Sequence, residues 1–275
     1  MTREQALRRA RELLAAHNVE DAPLESELLL RHTLRLSRVQ LYQDLSREIS
    51  PAGEKAYHGL LQRRLNGEPT AYITGQSEFY GLDFHVDPRV LIPRPESELL
   101  VEKTLALAQN HPAPIIAEIG TGSGAVAISV AVNLPPARIY ATDISADALQ
   151  VARSNCRKHG VTDRVSLLQG DLLDPLPEAV DLIIANLPYV RTNDAARLKS
   201  EPRLALDGGA EGLDKIDQLC RQVSGKLRSP GSLLLEIGQG QSGAVTAMLR
   251  RLFPAADIEV FPDLSGIERV VRLTL

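Results

Sequence analysis

Two short stretches bring together residue types that can do chemistry. Glu118-Ile119-Gly120-Thr121-Gly122-Ser123-Gly124 sets three glycines behind an acid, and Asn186-Leu187-Pro188-Tyr189 sets a neutral amide ahead of a phenol. Glycine in the first stretch lets backbone N–H groups approach a ligand at a strand-to-helix turn, so the loop can receive a nucleotide or a nucleoside. Alone it is shared by dinucleotide sites, methyl-donor sites and plain tight turns. Asp143 lies 23 residues beyond Gly120, a spacing at which a carboxylate ending the next strand accepts hydrogen bonds from ribose hydroxyls. In Gly170-Asp171-Leu172, the acid can hold the exocyclic amine of adenine while Leu172 packs on the ring, or the segment simply ends a strand.

In the second stretch, the Asn186 side-chain oxygen can accept one hydrogen bond of an NH2 group and the Leu187 carbonyl the other. The nitrogen lone pair is then aimed at an electrophilic methyl, while Tyr189 can lie over a planar amide or base. A turn with a buried tyrosine is the plain alternative. Direct transfer from a sulfonium needs alignment and loss of a proton, so positioning and electrostatics supply much of the rate. Glu118 either reaches the donor's amine or anchors the glycine turn. Arg94 and Glu96, flanked by Pro93 and Pro95, form a stiff extended segment that covers the donor, orients the reactive loop or makes an interdomain ion pair. Glu201 beside Pro202 shapes the acceptor side or is a solvated charge. The six histidines are dispersed without metal-ligand spacing, and Cys156 and Cys220 fit buried packing, so neither a metal nor a thiol nucleophile is expected.

These residues need a scaffold. Residues 1–75 read as short helices: Thr2 and Gln5 have capping-box spacing before Ala6, Leu7, Ala10, Leu13 and Leu14, and Ser37 with Gln40 repeats it. A further helix is predicted from Pro23, and Ser50-Pro51 gives a cap with a first-turn proline. Asn66-Gly67-Glu68-Pro69 is expected to end the bundle. Residues 76–88 fit a linking hairpin turning at Gly81. In residues 89–275, β-branched runs at 115–119, 138–141, 165–168, 181–185 and 232–237 alternate with helical patterns, which predicts an α/β domain with a mostly parallel sheet. The runs 258–261 and 267–273 are too close for a crossover helix and predict an antiparallel pair at the sheet edge.

Composition narrows the function classes. At 275 residues the chain suits two unequal domains, and 44% apolar with 24% charged residues suits a folded core. The net charge is -4, with eleven basic and thirteen acidic residues in 1–88, so a broad duplex-binding face is disfavoured. No apolar run approaches the roughly 20 residues of a membrane span, and two cysteines with no leader-like start fit a reducing cytoplasm.

Across nearly its whole length the sequence resembles the HemK/PrmC family of protein-glutamine N5-methyltransferases. The resemblance rests on Gly67-Glu68-Pro69, Tyr72-Ile73-Thr74-Gly75, Leu91-Ile92-Pro93-Arg94-Pro95-Glu96-Ser97-Glu98, the glycine loop and Asn186-Leu187-Pro188-Tyr189. Glu201-Pro202, residues 206–209, Gly212-Leu213 and Asp263-Leu264-Ser265-Gly266 add to it. It implies a seven-stranded class I S-adenosylmethionine-dependent methyltransferase (Rossmann-like) domain behind the helical bundle and hairpin. It also implies methyl transfer from S-adenosylmethionine, leaving S-adenosylhomocysteine, to the glutamine amide of the Gly-Gly-Gln loop in class 1 peptide chain release factors. By that likeness Glu118, Gly120, Thr121, Gly122, Gly124, Asp143, Asp171, Leu172 and Asn186 hold the donor. Asn186 and the Leu187 carbonyl grip the amide, Pro188 and Tyr189 complete the loop, and Arg94 and Glu96 serve the substrate side. The expected enzyme is a cytoplasmic monomer without a stable nucleic-acid complex. Two departures stand out: Leu187 replaces the first of two usual prolines, predicting a less preordered loop, and Ser97 replaces a usual threonine while keeping the hydroxyl.

Two rival readings remain open in the sequence. An adenine-N6 nucleic-acid methyltransferase uses the same acceptor geometry on a flipped base but calls for a basic face. A non-catalytic binding protein on a methyltransferase-like fold calls for lost donor binding or silent chemistry.

Overall fold

The computed structural model describes residues 1–109, 111–198 and 200–275, which divide into two compact units, Met1–Gln76 and Ser77–Leu275. The first unit is built from helices Arg3–Ala16, Ala22–Leu34, Arg38–Gln43, Pro51–Leu65 and Thr70–Thr74. Both capping boxes form: the Thr2 and Ser37 hydroxyls accept from the N–H groups of Gln5 and Gln40, whose side chains accept in return from the cap N–H groups. Such caps satisfy donors that a helix start otherwise leaves unpaired. The second helix begins at Ala22, one residue before the predicted proline, because the Asp21 carboxylate caps it. Leu7, Leu14, Leu29, Leu30, Leu41, Tyr57 and Leu61 bury the apolar stripes against one another, and the Tyr57 hydroxyl donates to the Ser26 carbonyl at 2.9 Å.

One expectation fails here. Asn66-Gly67-Glu68-Pro69 ends the helix Pro51–Leu65 but not the bundle, since Thr70–Thr74 follows. Pro69 stands before the first turn, where its missing N–H costs nothing, and Tyr72 and Ile73 are buried.

A hairpin follows at the boundary of the two units, β1 (Gln76–Phe79) and β2 (Leu82–His85), which turns at Tyr80-Gly81. The remaining strands are β3 (Ile115–Ile119), β4 (Arg138–Asp143), β5 (Val165–Gln169), β6 (Val180–Ala185), β7 (Leu227–Glu236), β8 (Asp257–Pro262) and β9 (Glu268–Thr274). They form one seven-stranded sheet in the order β5-β4-β3-β6-β7-β9-β8. The first five strands run parallel, and β9 is antiparallel to both β7 and β8. The closing pair is therefore antiparallel as expected, but only β8 is the edge, because β9 inserts beside β7. Strand β7 also starts five residues before the predicted 232, running through Pro230-Gly231 with an irregular register against β6. Strand order reverses between β3 and β6, and the carboxyl ends flanking that reversal are where open α/β sheets bind ligands.

Candidate active site

At that reversal β3 and β4 end in Ile119 and Asp143, and β6 ends in Ala185, one residue before Asn186. Their carboxyl ends border a cleft of about 180 Å³ lined by Gly120, Asp143, Asp171, Leu172, Asn186 and Leu187. A smaller adjoining cleft is walled by Glu118, Thr121 and Arg94, and Gly120, Gly122 and Asn186 border both.

The glycine loop must pass close to its neighbours. Gly120 has φ +73°, and a Cβ on it would meet Leu187 Cδ2 at 3.3 Å. Gly124 has φ +82°, and its Cβ would meet Ile128 Cδ1 at 2.9 Å, so its part is to seat the helix Ala125–Asn133 rather than to line either cleft. The buried Asn155 ties this loop to the hairpin by donating to Ser123 O at 2.8 Å and to His85 O at 3.0 Å while accepting from His85 N–H.

Three acids stand at the two clefts, Asp143 and Asp171 at the larger and Glu118 at the smaller. Asp143 accepts from Gly122 N–H at 2.9 Å and from Ser145 N–H at 2.8 Å, one on each oxygen. Each oxygen keeps lone-pair capacity for a hydroxyl. Burial holds its carboxyl above the ordinary range, and these backbone bonds pull the other way. Glu118 is buried and its Oε2 takes both the Thr121 hydroxyl and, at 3.1 Å, the Ala127 N–H. Burial pushes Glu118 up to about 8, the two hydrogen bonds oppose that, and the Asp143 charge adds to it. Asp171 is exposed at the cleft wall, and Leu172, at φ +47°, is fixed there by Thr142 Oγ1 donating to its carbonyl at 3.0 Å. Ile144 and Leu204, 50% and 57% exposed, add apolar wall that the sequence reading missed.

The reactive loop is held by distant parts of the chain. Leu187 is buried, and where proline's fixed φ is missing, tertiary bonds hold position: Val190 N–H donates to Leu206 O at 3.0 Å and Gly208 N–H to Val190 O at 2.8 Å. Gln241 Nε2 donates to the Tyr189 carbonyl at 3.1 Å. Asn186 Nδ2 donates to Ser97 Oγ at 2.9 Å, Ser97 Oγ donates to Glu236 Oε2 at 2.6 Å, and the Tyr189 hydroxyl donates to Glu236 Oε1 at 3.2 Å. Tyr189 lines neither cleft, and burial with the neighbouring Glu236 charge raises its phenol well above the usual range. Glu236 is absent from the sequence-derived set. Its only signal was an acid closing the apolar run Leu233-Leu234-Leu235 at the carboxyl edge.

Arg94 and Glu201 are brought together in an ion pair, and Glu201 Oε1 also accepts from Ile92 N–H at 3.0 Å. Glu201 thereby fastens the proline-rich strap to the segment after the reactive loop. Glu96 lies 3.9 Å from Arg269 and lines neither cleft. Cys156 and Cys220 are buried, with thiols pushed up to about 11 and about 12 by burial, so both are inert near neutrality. Among the described residues no group of three or more His, Cys, Asp or Glu is placed to hold a metal. Nor, among them, is any helix long and apolar enough to cross a membrane.

Comparison with known proteins agrees with this architecture. Residues 5–75 match the PrmC N-terminal domain and residues 95–205 the methyltransferase small domain. The chain is 45% identical over 274 residues to a release factor glutamine methyltransferase of Moorella thermoacetica, covering 98% of this chain and 97% of that one. It is 40% identical over 264 residues to the protein of the same description from Geobacter sulfurreducens, covering 94% and 91%. Among solved structures, it is similar in fold to a methyltransferase from Pyrococcus furiosus, at TM-score 0.54 and 17% identity over 78% of this chain and 96% of that one. A ribosomal protein L11 methylase from Lactobacillus delbrueckii subsp. bulgaricus gives 0.51 and 20% over 69% and 84%.

Proposed function

This chain belongs to the release factor glutamine methyltransferase family, and from that premise we propose that it methylates the side-chain amide N5 of the glutamine in the Gly-Gly-Gln loop of class 1 release factors. The observation that carries the reading at the site is Asn186. Its NH2 group is committed to Ser97, which leaves Oδ1 as an acceptor at the border of both clefts. An acceptor there suits a substrate N–H and would repel another carbonyl.

S-adenosylmethionine, when bound, supplies a methyl group on a positively charged sulfur. Asp143 suits the ribose hydroxyls, Asp171 with Leu172, Ile144 and Leu204 suit the adenine, and Glu118 with Thr121 suits the methionyl amine. Asn186 Oδ1 and the Leu187 carbonyl each accept one N–H of the glutamine amide and hold its nitrogen ready. With the donor bound there, a carbon–nitrogen bond would form as the carbon–sulfur bond broke, and the residues of this chain would face a nitrogen that gains positive charge and then gives one N–H proton to water. Two carbonyl oxygens fixed on that nitrogen stabilise the charge as it develops. Arg94, braced by Glu201, and Glu96, near Arg269, keep the substrate-side strap in place, while Tyr189 and Pro188 support the loop.

The same reading makes the enzyme a cytoplasmic monomer acting on protein, with residues 1–75 as the element that recognises the release factor, 76–88 as linker and 89–275 as the transferase. Peptide mass spectrometry of a purified release factor incubated with the enzyme and S-adenosylmethionine tests it, with duplex DNA in parallel. One added methyl on the Gly-Gly-Gln glutamine is expected. Methylated adenine without protein modification would overturn the reading.

A further inference from the structure

We propose that Glu236 is a positioning residue whose charge, relayed through Ser97, fixes which way the Asn186 amide faces and so whether an acceptor is presented to the substrate. The inference rests on the amide-methylation reading and extends it to a residue outside the reactive loop.

The argument is one of hydrogen-bond polarity. Glu236 ends β7 and is 1% exposed, with Ser97 Oγ 2.6 Å from Oε2 and the Tyr189 hydroxyl 3.2 Å from Oε1. A carboxylate only accepts, so both hydroxyls must spend their single proton on it. Ser97 Oγ then has only lone pairs left for Asn186, 2.9 Å away, and Asn186 must answer with Nδ2. Oδ1 is left over on the opposite side of the amide. An amide and its flipped form have nearly the same shape, so packing alone would hold either; the carboxylate two hydrogen bonds away chooses between them.

Protonation reverses the chain. A neutral carboxyl donates from one oxygen, and if Ser97 receives that proton its own O–H turns to Asn186, which must then present Oδ1 to Ser97 and NH2 to the substrate. Two N–H donors face to face cannot bond. The groups around Glu236 set where this happens: burial raises its pKa to about 7, the Ser97 and Tyr189 hydroxyls oppose that, Glu96 adds to the rise and Arg269 works against it. Arg269 divides its charge between Asp263 at 3.1 Å and Glu96 at 3.9 Å, so it neutralises Glu236 only in part.

The test compares wild type with Glu236→Gln, Ser97→Ala and Ser97→Thr. Release factor methylation is followed at saturating S-adenosylmethionine from pH 5.5 to 9, together with donor affinity by calorimetry and the ¹⁵N signals of the Asn186 side-chain NH2. Wild-type kcat should climb with pH through a single ionisation, with the Asn186 signals moving over the same range. Glu236→Gln, which cannot ionise, should remove both pH dependences and leave donor affinity within threefold. Ser97→Ala should lower kcat at least tenfold, and Ser97→Thr, which keeps the hydroxyl, should hold most of it. A wild-type pH profile in Glu236→Gln would overturn the inference, as would an Asn186 signal that ignores pH in wild type. Should Glu236→Gln fail to fold, the Ser97 pair decides: equal activity in Ser97→Ala and Ser97→Thr refutes the relay. Failure of the methylation reading looks different, since wild type would then leave the release factor unmodified at every pH while the Asn186 signals still report on the relay.

Discussion

The Asp143 carboxylate accepts the backbone N–H of Gly122 at 2.9 Å, so the acid that ends β4 also braces the glycine loop leaving β3. Removing it withdraws a support for the loop and, on the proposed reading, a partner for ribose hydroxyls together. Asn186, which also lines the cleft, donates instead to Ser97 Oγ at 2.9 Å, and on the proposed reading it serves the methyl acceptor.

Asp143→Ala and Asn186→Ala should therefore separate. The first is expected to weaken S-adenosylmethionine binding at least tenfold, with turnover at saturating donor affected much less. The second should cut kcat at least a hundredfold with donor affinity within threefold. Calorimetry and steady-state kinetics on both variants check this, and the reverse pattern would undo the role assignments.

Gly208 lies against the reactive loop, where an added Cβ would stand 2.4 Å from the Pro188 carbonyl oxygen. Backbone cannot give way as a side-chain end can, so Gly208→Ala should cost about 1–3 kcal/mol and reduce kcat at least tenfold by displacing Pro188 and Tyr189. Gly243, in the helix Ser242–Leu252, has open space around its Cβ position, and Gly243→Ala should stabilise by about 0.4–1 kcal/mol. Urea unfolding of the two variants provides the comparison.

Glu201 joins Arg94 and the Ile92 N–H, clasping the strap whose Leu91 borders both clefts. Arg94→Ala and Glu201→Ala should each speed donor release several-fold, and the double variant should be little worse than either. A coupling on the order of 0.5–3 kcal/mol is expected for residues in direct contact. Stopped-flow measurement of donor release would show strictly additive effects if the clasp is irrelevant.

Stability should fall as pH rises through neutrality. Folded Glu118 keeps its proton up to about 8, whereas the unfolded chain releases it near 4.5, so the folded state binds more protons between those values. The contribution is complete below about 4.5 and is lost as pH approaches 8; Glu236, raised to about 7, acts with the same sign. Asp87, held near 2 chiefly by Arg89, works in the opposite direction but only in acid. Between pH 6 and 8.5 the urea midpoint of wild type should drop, and that of Glu118→Gln should drop less. An unchanged slope would show that Glu118 ionises normally.

Local patterns determined much of this protein in advance. Capping boxes at Thr2 and Ser37, the turn at Gly81 and the strand-glycine-helix sequence at Gly120 act within a few residues, so composition and spacing suffice to specify them. Asn186 and Asp143 were legible for the same reason: each closes a β-branched run, and strand ends on one edge of a parallel sheet meet.

Tertiary structure decided the rest. Ser97 and Glu236 are 139 residues apart and Asn186 and Ser97 are 89 apart, and no periodicity relates positions that far along the chain. The extension of β7 through Pro230-Gly231 and the seating of β9 between β7 and β8 depend on partners rather than on their own residues. Helix Thr70–Thr74 forms because Tyr72 and Ile73 find burial, which outweighs the breaking signals just before it. Sequence thus determined which groups are available for chemistry. Which atom of Asn186 is turned to Ser97 was left to the fold, because the orientation of an amide is a property of its neighbours.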